Sequence, residues 1–225
     1  MIGFKHQRFV WVALWVFFCV CASACAQKPP ATRLLNAQTP TPILVFGDSL
    51  SAGFNIPAEQ KWSQHLESRL RAEGVLRPDQ HIANASVSGE TTSGGLRRLP
   101  DELAKSQPVV VILQLGANDA LRRQSLSTMK SNLEQMISLA RQNNATVILV
   151  GVKPMGLLSL VNSARFTDVY AQVAQEQSVI FVPNLFDDLS SSQLQDDHLH
   201  PTAQAQPHMA ETLYPAILEA SRSTP

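Results

Sequence analysis

The sequence predicts an α/β protein, a three-layer α/β/α sandwich around a five-stranded parallel sheet. Three observations predict it. Apolar strand-like runs alternate with helix-like segments from Ile43 to Ala220, the pattern of successive βα units. The run Val109 to Leu115 is almost continuously apolar, as a strand buried on both faces must be. The runs end in turns rich in Gly, Ser, Asn and Asp. Small polar groups therefore collect beyond the carboxyl ends of the strands, where open α/β sheets hold ligands.

The 225 residues fit one domain, because a single core grows to roughly 250 residues before chains split. The chain is 44% hydrophobic and 16% charged, with a formal net charge of zero. That balance supports a large core and excludes the basic excess of a nucleic-acid surface.

Residues 1–26 read as a secretory signal peptide. Lys5, His6 and Arg8 form a basic head, Phe9 to Val20 an uncharged apolar run, and Ala22-Ser23-Ala24-Cys25-Ala26 a small-residue cleavage region. Cuts after Ala24 and after Ala26 both fit. An uncleaved anchor is the competing reading, but the strongly apolar core is shorter than the roughly 20 residues a spanning helix needs. Removal of this segment takes away two bases and no acids, leaving 16 basic against 18 acidic residues, net −2. All three cysteines, Cys19, Cys21 and Cys25, lie within it, so no internal disulfide and no thiol nucleophile is expected in the mature domain. Ala22-Ser23-Ala24-Cys25 partly matches a lipobox, which would place a lipid on Cys25 and the chain on a membrane. The expected location is exported, periplasmic or secreted, with a membrane-anchored lipoprotein as the alternative. Residues 27–42 hold four prolines in sixteen positions and read as a linker in which helix is disfavoured.

The domain is expected over residues 43–220. Ile43 to Phe46 is its first strand, bounded by Pro42 and Gly47. Pro57 to Ala72 reads as a helix, with Trp62, Leu66 and Leu70 on one face. Ile82 to Val87 is a short second strand. Ser93 to Lys105 is a helix that Pro100 should disturb. Val109 to Leu115 is the third strand. Leu126 to Arg141 is a helix, with Met129, Leu133, Met136, Ile137 and Ala140 in register. Thr146 to Val150, helical Asn162 to Gln175 and Val179 to Val182 follow. Ala203 to Ala220 closes the chain as a helix interrupted at Pro207 and Pro215.

The strand ends carry the chemistry. They are Gly47-Asp48-Ser49 after the first, Ser88-Gly89-Glu90 after the second and Gly116-Ala117-Asn118-Asp119 after the third. Asp196-Asp197-His198-Leu199-His200-Pro201 follows the fifth. A serine hydroxyl needs a base within hydrogen-bond reach, and His200 can be that base. Asp197, three residues earlier, can hold the other imidazole nitrogen. The backbone N–H groups of Ser49 and Gly89 and the side-chain amide of Asn118 are candidate oxyanion donors.

At these residues the chain resembles the SGNH (GDSL) hydrolase superfamily. Ser49 in Gly-Asp-Ser-Leu-Ser, Gly89 after Asn84-Ala85-Ser86-Val87-Ser88, Asn118 in Gly-Ala-Asn-Asp, and Asp197 with His200 before Pro201 match its four blocks in order. Wider phrases look like the periplasmic thioesterase I / lysophospholipase / arylesterase branch. The resemblance implies a flavodoxin-like sandwich and cofactor-free hydrolysis of a small acyl ester, thioester or lysophospholipid. Ala117 and His198 replace glycines usual in the branch, and its loop after the fourth strand appears as Lys153 to Leu158. By that resemblance Met155, Leu157 and Leu158 would border the acyl pocket.

Four other readings compete. Asp196, Asp197, His198 and His200 carry metal-ligand chemistry, but His65, His81 and His208 stand apart from them and complete no set, so no metal is expected. Asp48 and Asp119 could mimic a glycosidase pair, although loop-holding hydrogen bonds suit them better. An α/β-hydrolase needs G-x-S-x-G, and position 51 is serine. A binding module for an acyl or glycan ligand, with an idle triad, is the alternative of another class. The sequence leaves the oligomeric state open.

Overall fold

The computed structural model describes residue 1 and residues 32–153, 163–186 and 189–222. The signal-peptide and Cys25 expectations, and those for Met155, Leu157 and Leu158, lie outside these residues. Five strands are present: β1 Ile43–Gly47, β2 Ile82–Asn84, β3 Val110–Gln114, β4 Thr146–Val150 and β5 Ile180–Val182. All neighbouring pairs are parallel, in the order β2-β1-β3-β4-β5. This is the flavodoxin-like order, whose ligand crevice opens at the β1/β3 switch point.

The helices are α1 Thr32–Asn36, α2 Ser49–Ala52, α3 Trp62–Ala72, α4 Thr92–Ser106, α5 Ala117–Leu121, α6 Leu126–Gln142, α7 Ser163–Gln177 and α8 Gln206–Ala220. Helices α3 and α8 pack together in one outer layer, and α4, α6 and α7 in the other. Every residue of β1 and β3 is buried, because helices cover both faces of the sheet centre. The core includes Phe46, Trp62, Ile112, Leu133, Ile148 and Phe166, none of them solvent-exposed.

Several local expectations are corrected. The helix expected from Pro57 begins instead as a 3-10 turn, Ala58–Gln60, and α3 starts only after an extended Lys61. Strand β2 ends at Asn84 rather than Val87, since the chain leaves the ladder to form the Gly89 turn; Ala85 and Val87 still donate to Val45 and Gly47 carbonyls at 2.9 and 3.0 Å. Pro100 does not break α4, and Pro215 does not break α8. Both prolines lie on exposed faces, so water can reach the carbonyl each deprives of a partner. Pro207 falls in the first turn of α8, where its missing N–H would have no helical partner.

The proline-rich stretch is docked from residue 32 onward. Its prolines, 29, 30, 40 and 42, flank a proline-free window that forms α1. Leu34 is fully buried. Gln80 Nε2 donates to the Leu34 carbonyl at 2.8 Å, and Thr39 and Thr41 hydroxyls donate to the Ser106 carbonyl at 2.7 and 2.9 Å.

Candidate active site

Ser49 is half-buried and opens α2 directly beyond β1. Asp48 caps this helix, its Oδ1 accepting the Leu50 N–H at 3.0 Å. Ser51 Oγ donates to Gln114 Oε1 at 2.7 Å and ties α2 to the end of β3. Gly47 must be glycine here, because a Cβ would stand 2.7 Å from the Gln114 carbonyl oxygen.

Asp197 and His200 occupy a loop closed by an antiparallel bridge between Leu194 and Pro201. Gln195 N donates to the His200 carbonyl at 2.8 Å. Asp197 Oδ1 accepts the N–H groups of Leu199 and His200 at 2.9 and 3.0 Å. Its Oδ2 lies 2.6 Å from His200 Nδ1, and His200 Nε2 lies 2.8 Å from Ser49 Oγ. Partial burial pushes the Asp197 carboxyl up, but hydrogen bonds from the His200 N–H, the His200 ring and the Leu199 N–H outweigh it and hold it at about 2. An ionised carboxylate only accepts, so the imidazole proton belongs on Nδ1 and Nε2 is left to accept from the serine. The Asp197 side chain is 41% exposed against 12% for His200. The carboxylate bonded to the imidazole therefore faces water.

A cleft of about 190 Å³ brings Ser49, Gly89, Asn118 and His200 together, with Leu50, Phe54, Ala117, Leu121 and Leu199 as apolar lining. Gly89 has φ +79°, a conformation that side chains disfavour, and its carbonyl accepts from Arg122 Nη2 at 2.9 Å. Asn118 sits in α5, which the next residue fastens. Asp119 accepts the Thr92 N–H at 2.8 Å and the Thr92 hydroxyl at 2.5 Å. Asn132 supports the same point through Thr92 and Ser93 hydroxyls, each at 3.0 Å. Burial raises the Asp119 carboxyl, and the Thr92 hydrogen bonds pull it partly back. Asp48 and Asp119 thus hold loops by hydrogen bonding. His198 is exposed and keeps a positive φ of 54°, the backbone shape its usual glycine would give.

Three neighbours of the site were not legible in the sequence. Phe54 lies with its ring centroid 4.5 Å from that of His200. Gln195 Nε2 donates to the carbonyls of Phe54 and Pro201, each at 2.9 Å. Arg122 holds Gly89. The Gln195 and Arg122 contacts run to backbone carbonyls, which no residue pattern encodes; the only available signal was proximity in sequence to Ser49, Asp197 and Asn118.

Residues 45–206 match the GDSL-like Lipase/Acylhydrolase family. The chain is 35% identical to Esterase TesA of Pseudomonas aeruginosa, over 87% of this chain and 95% of that one. It is also 35% identical to an Arylesterase of Vibrio mimicus, over 89% and 93%. The crystal structure of TesA superposes with a TM-score of 0.74 at 34% identity, covering 79% of this chain and 98% of that one. The extent of these matches, over a flavodoxin-like sheet whose strand ends bear the four sequence blocks, places the chain in the GDSL-like lipase/acylhydrolase family, as a carboxylic ester hydrolase of the SGNH type.

Proposed function

We propose that this hydrolase works through an acyl-enzyme on Ser49. The observation that carries the proposal is the continuous hydrogen-bonded chain from Asp197 through His200 to Ser49 Oγ, at 2.6 and 2.8 Å. His200 Nε2 takes the serine proton as Oγ bonds to the acyl carbon. The imidazolium then returns that proton to the leaving oxygen or sulfur as its bond to the acyl carbon breaks. Water, deprotonated by the same nitrogen, attacks the acyl group and frees Ser49. Asp197 orients the ring and stabilises the imidazolium. The N–H groups of Ser49 and Gly89 and the Asn118 amide receive the oxyanion, a contribution of about 3 kcal/mol per donor in comparable sites. No cofactor enters this scheme.

The substrates are small acyl esters and thioesters, the classes that the names of the two esterases above and of a Thioesterase 1/protease 1/lysophospholipase L1 of Escherichia coli, 33% identical over 75% of this chain and 79% of that one, support. Lysophospholipids extend the same chemistry, and the acyl-length preference falls to Met155, Leu157 and Leu158. Nothing in the structure favours an idle binding module. Hydrolysis of p-nitrophenyl esters of increasing acyl length, beside Ser49→Ala, tests the scheme. The variant should lose at least about a thousandfold in kcat and should resist a fluorophosphonate probe that labels the parent. Undiminished turnover by folded Ser49→Ala would reject Ser49 as nucleophile.

The protein is also proposed to be exported through residues 1–26, on the order of basic head, apolar run and small residues. Among the described residues no helix is long and apolar enough to cross a membrane. The N-terminal mass of the mature protein tests this. Cleavage before Cys25 with added lipid marks a lipoprotein, cleavage after Ala26 a free exported domain, and an intact Met1 terminus overturns export by cleavage.

A further inference from the structure

We infer that Gln195 is a positioning residue that keeps the loop of the base in register with the turn of the nucleophile while Ser49 carries the acyl group. The inference rests on the acyl-enzyme reading above and names a residue outside the triad and the oxyanion donors. Ser49 and His200 stand 151 positions apart in the chain, so their contact depends on how two distant segments are joined. Among the described residues, two hydrogen bonds join residues 47–56 to the loop 194–201. One is the pair Ser49 Oγ and His200 Nε2 at 2.8 Å; the other runs from Gln195 Nε2 to the Phe54 carbonyl at 2.9 Å. The second closes a circuit around the first. On the nucleophile side, the chain reverses at Gly53, whose φ is +70°, and the Phe54 N–H donates to the Ser49 carbonyl at 3.2 Å. On the base side, the Gln195 N–H donates to the His200 carbonyl at 2.8 Å, and the other Nε2 hydrogen goes to the Pro201 carbonyl at 2.9 Å. One half-buried amide thus grips a backbone carbonyl of each segment.

The weight on this bridge changes during turnover. In the free enzyme the Ser49 hydroxyl helps to hold the two segments together. An esterified Oγ has no proton to donate, and Nε2 of the neutral imidazole is an acceptor, so that bond is gone in the acyl-enzyme. Deacylation follows at this stage. Nε2 takes a proton from water as the water oxygen bonds to the acyl carbon, then returns it to Oγ as the bond from Oγ to the acyl carbon breaks. Between the two segments the Gln195 bridge is the hydrogen bond that remains. A reacting group misplaced by about 1 Å loses up to about a hundredfold in rate. Loss of the bridge therefore falls on deacylation more than on acylation, where the serine hydroxyl still sets the distance to the base.

The test separates the two steps. Gln195→Met keeps the length and bulk of the side chain without a donor, and Gln195→Glu keeps its shape but turns an acceptor-only carboxylate toward the two carbonyls. Turnover of p-nitrophenyl butyrate is measured for the full-length protein and both variants. Mass spectrometry after acid quench at saturating substrate gives the fraction of enzyme carrying the butyryl group. Dividing kcat by that fraction gives the deacylation rate constant, while kcat/KM reports acylation. Both variants should slow deacylation about tenfold and accumulate acyl-enzyme. Their kcat and KM should fall together, leaving kcat/KM within about twofold of the parent. A residue that only supports the fold would lower kcat/KM along with kcat. Equal losses in the two constants would overturn the inference, and so would an unchanged deacylation rate constant. Gln195→Glu decides the matter if Gln195→Met folds poorly by circular dichroism. Retained turnover by Ser49→Ala would remove the acyl-enzyme reading and this inference together, whereas equal losses in the Gln195 variants remove the inference alone.

Discussion

Asp48 precedes the nucleophile and is fully buried. Burial raises its carboxyl to about 7, against partial relief from the Leu50 N–H and the Gln114 side chain. Because the folded form holds this proton more tightly than the unfolded chain, the associated stability is complete below about pH 4 and is lost as pH rises through about 7. Asp48→Asn keeps an oxygen for the Leu50 N–H and removes the titration. Urea unfolding at pH 4 and pH 8 should show the parent losing ground to the variant by up to about 4 kcal/mol; a pH-independent difference would exclude Asp48 as the source. Single residues were legible where chemistry demands a rare type at a fixed spacing, as with Ser49, Asp197 and His200. Phe54, Gln195 and Arg122 were not, because their partners become neighbours only after folding.

At the scale of elements, α1 is the clearest case of tertiary contacts overriding composition. Its proline-rich surroundings predicted a free linker. Leu34 instead enters the core, and the Arg77 guanidinium and Gln80 amide take up carbonyls around it. Leu34→Ala should lower stability by about 3 kcal/mol through the cavity it leaves, measured by denaturant unfolding. A loss below about 0.5 kcal/mol would show that α1 is not coupled to the domain. The short helices α2 and α5 escaped sequence reading because four or five residues carry no periodicity. The prolines of α4 and α8 misled for a different reason. A proline costs least where the carbonyl it deprives of a partner faces water, and Pro100 and Pro215 both lie on exposed faces of their helices.

For the whole molecule, alternating segments were enough to predict the sandwich, and the strand-end motifs were enough to predict which end of the sheet bears the site. The order β2-β1-β3-β4-β5 adds the reason Ser49 and Asn118 meet: they follow β1 and β3, adjacent interior strands that pair along their length. The docked N-terminal stretch sits at the other pole. Pro40 and Pro42 carbonyls accept from His81 and Val109, just ahead of β2 and β3. The molecule is thus vectorial, with its docked stretch and its mouth separated by the length of the strands. Anything that gripped the chain at its docked stretch would leave the mouth on the far side, open to substrate from the surrounding fluid.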